Sequence, residues 1–196
     1  MSANVNEERS FLAITDCCKE YFHSPQGRSP FDAALKVMED ANFPMHNFAH
    51  HYLVPAVLLT AVYVKQNIPE EKFFHDLQAV EARAKNVLPA FCGFYGACGA
   101  ALGCGIFMSV WTGTTPLSKD SWSLCNRATA GALAAMADMG GPRCCKRNTF
   151  TALRFMKSYL LRQMSLEIDL PEKIKCEFSR FNKECLESDC PYYEKG

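Results

Sequence analysis

The sequence predicts an all-α fold: a single compact helical domain with a Gly-rich buried helix and a cysteine-bearing, metal-binding C-terminal tail. Apolar residues recur at three- and four-residue spacing almost throughout, and no window sustains the two-residue alternation of a strand. Turns rich in Pro and Gly separate the apolar runs. With 196 residues, 48% of them hydrophobic, the chain can bury roughly 70% of its unfolded surface in one core without disulfides or metal.

Phe11, Ile14, Cys18 and Phe22 predict a first helix that ends near His23-Ser24-Pro25-Gln26-Gly27. Ser29 and Pro30 form an N-cap and first-turn pair that opens a short helix through Leu35, Val37 and Met38. Asn42-Phe43-Pro44 stops it. From about His46 to Lys65 runs an apolar helix that Pro55 should kink, because proline lacks a backbone donor. Pro69-Glu70-Glu71 opens a helix with Phe73, Phe74, Leu77 and Val80 on one face.

The Gly-rich region from Phe91 leads to a helix ending near Trp111-Thr112-Gly113. Asp120 or Ser121 caps the next, in which Ala128, Ala130, Gly131, Ala132, Ala134 and Ala135 permit close helix approach, up to Gly140-Gly141-Pro142. A last long helix, from about Asn148 to Ser165, carries Phe150, Leu153, Met156, Leu160, Leu161 and Met164. After Pro171 the character changes, so residues 1–170 are read as the helical domain and 171–196 as a cysteine-rich tail packed on it.

Lys plus Arg and Asp plus Glu both number 21, so no net positive field gathers phosphates, and nucleic acid is not an expected partner. The polar, acidic stretch from Met1 to Arg9 lacks the basic start and apolar core of a secretory signal. The expected compartment is the cytoplasm, where thiol buffers make a disulfide framework of 11 cysteines implausible and metal or redox chemistry the leading reading. No charged residue lies between Lys85 and Lys119, a stretch long enough to cross a bilayer. Its glycines, thiols and prolines suit a tightly packed buried helix better, and no membrane association is expected.

Four constellations can carry chemistry. The tail presents Cys176, Cys185 and Cys190 as C-x8-C-x4-C-P. Soft thiolate ligands in a segment with little core of its own suit zinc or iron. The spacing is not the C-x2-C of structural zinc, and the cysteine-proline ending is shared with cluster-binding runs, so an iron-sulfur cluster of the 4Fe-4S type is expected, with zinc as the alternative. The bland reading is three free thiols on an amphipathic tail.

The second, Cys92-Gly93-Phe94-Tyr95-Gly96-Ala97-Cys98-Gly99, has glycines that let backbone approach a ligand, and Gly93, Gly96 and Gly99 are candidate cofactor contacts. It is neither a dinucleotide fingerprint nor a P-loop. Small residues at a helix crossing would explain it too. The third, Gly140-Gly141-Pro142-Arg143-Cys144-Cys145-Lys146-Arg147, sets two thiols among three cations near a helix start, which should depress their pKa values. The fourth is His46-x3-His50-His51, where positions 46 and 50 would share a helix face and could bind metal or move protons.

Together these predict His46, His50, His51 and Arg143 as catalytic residues. Cys92, Cys98, Cys144, Cys145, Cys176, Cys185 and Cys190 are the predicted metal ligands. Cys17, Cys18 and Cys125 are read as packing residues.

The blocks HNFAHHYLVP (46–55), CGFYGACGAALGCGIF (92–107), GGPRCCKRN (140–148) and the tail 176–192 resemble a family of unknown function from anaerobic bacteria and archaea. Some of its members are fused to methyltransferase-like domains. The resemblance spans most of the chain from about residue 30. It implies no established reaction, but an anaerobic setting favours an oxygen-sensitive iron-sulfur centre. The pattern would accept an ordinary apolar residue at Cys104, which is therefore not expected to be a ligand. The sequence-level function is a cytoplasmic iron-sulfur protein of redox or sulfur-handling character acting on a small anionic or sulfur-containing substrate. A zinc-stabilised helical interaction module, with a protein partner or as a homo-oligomer, is the alternative.

Overall fold

A computed structural model describes residues 2–194. The helices are α1 (Ser2–His23), α2 (Pro30–Glu39), α3 (His50–Lys65), α4 (Glu70–Lys85), α5 (Phe91–Phe94), α6 (Gly99–Trp111), α7 (Asp120–Ala137) and α8 (Cys145–Met164). Two short 3-10 turns, Ser179–Phe181 and Glu187–Asp189, follow. Among the described residues there is no strand; a single parallel bridge joins Cys176 to Tyr193. The all-α expectation therefore holds.

The centre of the molecule is α3. Every residue from His50 to Tyr63 is buried, which accounts for a helix that is apolar on all its faces. It is surrounded by α1, α2, α4, α6 and α8, and α7 closes the outer layer against α6 and α8. The Ser29 cap forms as the sequence implies: its hydroxyl accepts from the Asp32 amide at 3.2 Å, and Asp32 accepts from the Ser29 amide at 2.8 Å. Pro55 stays inside α3. A Cβ placed on Gly103 of α6 would come within 2.7 Å of the Pro55 ring, so α6 can cross α3 only with glycine there.

Several boundaries move, and they matter for the site. His46 does not lie on α3, which begins at His50; residues 46–49 form turns instead. The Asn47 side chain holds that turn, accepting from the Ala49 amide at 2.9 Å. Asp120 is the first residue of α7 and does not cap it. Helix α8 begins at Cys145, three residues earlier than the apolar spacing suggested, with Cys144 as its N-cap.

The tail also departs from expectation. Its sequence offers little apolar content, yet Ile174, Phe178 and Tyr192 are each under 7% exposed and belong to the single core. The Tyr192 ring meets Phe150 edge-on at 5.5 Å, its hydroxyl lies 3.1 Å from that of Thr151, and the Cys176 amide donates to its carbonyl at 2.7 Å. Burial of these rings anchors the segment without invoking metal. Among the described residues no helix is long and apolar enough to cross a membrane; the uncharged stretch divides into α5 and the 13-residue α6.

Candidate functional site

Three of the four sequence blocks meet in one cavity of about 260 Å³. His46, His50 and His51 come from the turn before α3 and its first residues; Cys92 from α5; Cys98 and Gly99 from the start of α6; Arg143 and Cys145 from the start of α8. Gly93 and Gly96 are not among its lining residues. Gly99 is there for a steric reason, since a Cβ at that position would fall 1.9 Å from Cδ2 of His51.

The histidine hydrogen bonds define the ring tautomers. Nδ1 of His50 lies 2.9 Å from the Asn47 carbonyl, and Nδ1 of His51 lies 3.0 Å from the Val87 carbonyl. Carbonyl oxygens only accept, so both Nδ1 atoms carry the proton and both Nε2 atoms present a lone pair. Nε2 of His50 is buried without a partner. Burial, aided by the nearby Lys146 charge, holds the His50 imidazole well below its ordinary pKa; burial also lowers that of His51. His46 faces the tail instead, Nε2 lying 3.1 Å from Asn182 Oδ1 and 3.6 Å from Glu184 Oε2, while its Nδ1 is buried and unpartnered.

The adjacent thiols part company. Cys145 faces the histidine cavity. Cys144 lines a second, smaller cavity of about 20 Å³ with Cys176, Cys185, Cys190, Phe178 and Tyr192. Burial pushes the Cys145 thiol up to about 11 and the Cys176 thiol up to about 11, and raises Cys144 as well. The expectation that cationic neighbours would depress Cys144 and Cys145 is therefore reversed: Arg143 and Arg147 do lower them, but loss of hydration outweighs both. Lys146 is itself buried, its Nζ over the rings of Phe43 and Phe178 at 4.7 and 4.9 Å and 3.3 Å from the Met38 carbonyl. Burial lowers it to about 8.

Cys144, Cys185 and Cys190 each push the Cys176 thiol further up, the mutual repulsion expected of thiols that would share a charge. Among the described residues no group of three or more His, Cys, Asp or Glu side chains is placed to hold one metal ion. The four thiols thus line a common cavity without closing on a single point. Cys17, Cys18, Cys104 and Cys125 are buried in the core away from both cavities.

Sequence reasoning missed several residues that shape the site. Asn148 donates to Cys98 Sγ at 3.2 Å, and Arg147 donates to the carbonyls of Gly140 and Pro142 at 2.8 Å each, fixing the turn before α8. Both stand in the GGPRCCKRN block, where their side chains could have been weighed alongside the thiols. Asn182, which holds His46 from 136 positions away, carried no signal at all.

Fold and site define a helical protein with a thiol-and-imidazole cavity beside a four-cysteine cluster. Residues 17–193 match a family described as a family of unknown function, DUF5714, and the chain belongs to that family. No curated protein and no solved structure matches the chain.

Proposed function

We propose that the chain is a thiolate metalloprotein in which Cys144, Cys176, Cys185 and Cys190 hold an iron-sulfur cluster, and that it serves redox or sulfur-handling chemistry on a small anionic substrate in the adjoining cavity. One observation carries this reading: four thiols from two segments far apart in sequence line the same small cavity. Thiols crowded together gain most from a cation, which deprotonates them and cancels their repulsion, and the Cys176 thiol is already pushed up by burial and by Cys144, Cys190 and Cys185. Loading the site requires the four side chains to draw in around the metal group. His46, bonded to Asn182 of the tail, links the cluster to the substrate cavity, where Arg143 attracts the anion and His50 or His51 takes a proton.

A single zinc ion is the second reading. The space between the four thiols is only about 20 Å³, which an ion fills with less displacement than a cluster.

The test is anaerobic purification followed by reconstitution with iron and sulfide. The expected result is charge-transfer absorption with matching iron and acid-labile sulfide, lost in Cys144→Ala, Cys176→Ala, Cys185→Ala and Cys190→Ala and kept in Cys104→Ala. Zinc bound stoichiometrically without sulfide selects the second reading. Neither metal retained by the wild-type protein overturns both.

A further inference from the structure

Buried side-chain charges normally have a partner of opposite sign, because the hydration lost on burial has to be replaced. Two cations of this chain do not. Lys146 is 1% exposed and Arg147 is 4% exposed, and among the described residues neither forms an ion pair with a carboxylate. The Lys146 ammonium has one carbonyl, that of Met38, and the rings of Phe43 and Phe178 for company. Arg147 gives Nη2 to the carbonyls of Gly140 and Pro142 and leaves its buried Nε without an acceptor. A guanidinium does not shed its proton in a protein, so this charge is permanent.

Both residues stand in the first turn of α8, directly after Cys144 and Cys145. That turn is the positive end of the helix dipole and holds no acidic residue, so two cations there are set against the dipole as well as against burial. The arrangement calls for negative charge close by, and the neighbours able to supply it are thiols. Arg147 lines the same small cavity as Cys144, Cys176, Cys185 and Cys190, and its amide donates to Cys144 Sγ at 3.5 Å. Lys146 packs on Phe178, another wall of that cavity, and the thiols of Cys145, Cys144 and Cys176 are near enough to act on its charge.

We propose that Lys146 and Arg147 are the fixed counter-charges of the tail site and that they set the charge of its occupant. Each thiol gives its proton to water as it binds. Four thiolates around a dicationic centre leave two negative charges, the number that the two side chains neutralise. A zinc ion meets that condition, and so does a dicationic iron-sulfur core; a monovalent ion leaves a third charge uncovered. Both residues act on the ligands, as positioning residues. The inference rests on the reading of the tail cysteines as a metal site and holds for either occupant.

The experiment compares zinc affinity, by competition with a chromophoric chelator, with metal-free stability, by urea unfolding, in the full chain under reducing conditions. Lys146→Met removes the charge and keeps a chain of similar length. It should weaken zinc about 10–100-fold, the usual effect of losing an outer-shell partner, while the metal-free protein stays at least as stable as the parent. A merely structural lysine gives the reverse, with zinc affinity kept and metal-free stability lost. Arg147→Lys and Arg147→Met both give up the fork that holds Gly140 and Pro142, and only the second gives up the charge, so zinc should bind about tenfold more weakly to the second. Lys119→Met takes the same charge from the exposed residue before α7 and should leave zinc affinity unchanged. A protein that takes up the cluster and no zinc is compared in the same way, by its rate of iron loss to the chelator. Equal metal affinity in Lys146→Met and parent, an equal loss in Lys119→Met, or a metal-free Lys146→Met protein that is less stable or does not fold overturns this inference alone. Parent protein that retains neither zinc nor reconstituted iron overturns it together with the metal reading.

Discussion

Replacing Gly99 by alanine puts a methyl group where the imidazole of His51 now stands. The added Cβ would lie 1.9 Å from Cδ2, 2.3 Å from Cγ and 2.3 Å from Nε2 of that ring. The clash includes the ring's root atom, so a flip about the terminal torsion cannot relieve it. The side chain must leave its place and give up the 3.0 Å bond from Nδ1 to Val87. Overpacking of this kind costs about 1–3 kcal/mol, and the lost bond adds about 1 kcal/mol. The sum is about 2–4 kcal/mol, and at ~2–4 °C per kcal/mol for a chain of this size the thermal midpoint should fall by about 4–16 °C.

Gly93, in the same motif, is the internal control. A Cβ there meets nothing within 4 Å, so Gly93→Ala should be neutral or stabilising by up to about 1 kcal/mol. Urea and thermal unfolding of both variants measure the contrast. If Gly99→Ala unfolds within about 0.5 kcal/mol of the parent, the contact between α6 and His51 is not as described and the cavity built on it falls.

Truncating Tyr192 to alanine should cost about 3–5 kcal/mol in metal-free protein, since the tail is anchored by its rings; limited proteolysis should then clip the tail, and a tail already clipped in the metal-free parent would refute the anchor. Stability should fall as pH drops below 6.5, the ordinary histidine value, because the unfolded chain takes protons that buried His50 and His51 resist. The slope from this pair is at most about 2.7 kcal/mol per pH unit, measured as the urea midpoint between neutrality and the carboxylate range, and a flat profile would contradict neutral burial. Cys104→Ala should cost about 1–2 kcal/mol for the lost packing of a fully buried thiol, with no change in bound metal on chemical analysis.

Helix content was legible because amphipathic spacing and punctuation are local: Ser29-Pro30 and Pro69 lie at the helix starts they announced. The errors have a common physical origin in contacts between distant segments. His46 was placed on α3 by counting four residues, but the Asn47 side chain turns the chain first. The thiols of Cys144 and Cys145 were judged by the charges beside them in sequence, whereas burial, which only the tertiary fold supplies, dominates their ionisation. The tail looked coreless because Ile174, Phe178 and Tyr192 follow no helical or strand period, each reaching the core from a loop. That three blocks would converge while the fourth formed its own cavity could not be read from spacing, though the residue types in both were.

Cys144 and Cys145 form a partition one peptide unit thick. The planar amide between them fixes their Cα atoms about 3.8 Å apart, with no soft torsion inside that plane. One sulfur belongs to the tail chamber and the other to the histidine chamber. Between the first sulfur and the backbone of the second stand only the χ1 and ψ rotations of Cys144. The two chambers are therefore joined through one stretch of backbone at the start of α8, the shortest covalent path by which an occupant of one can bear on the other.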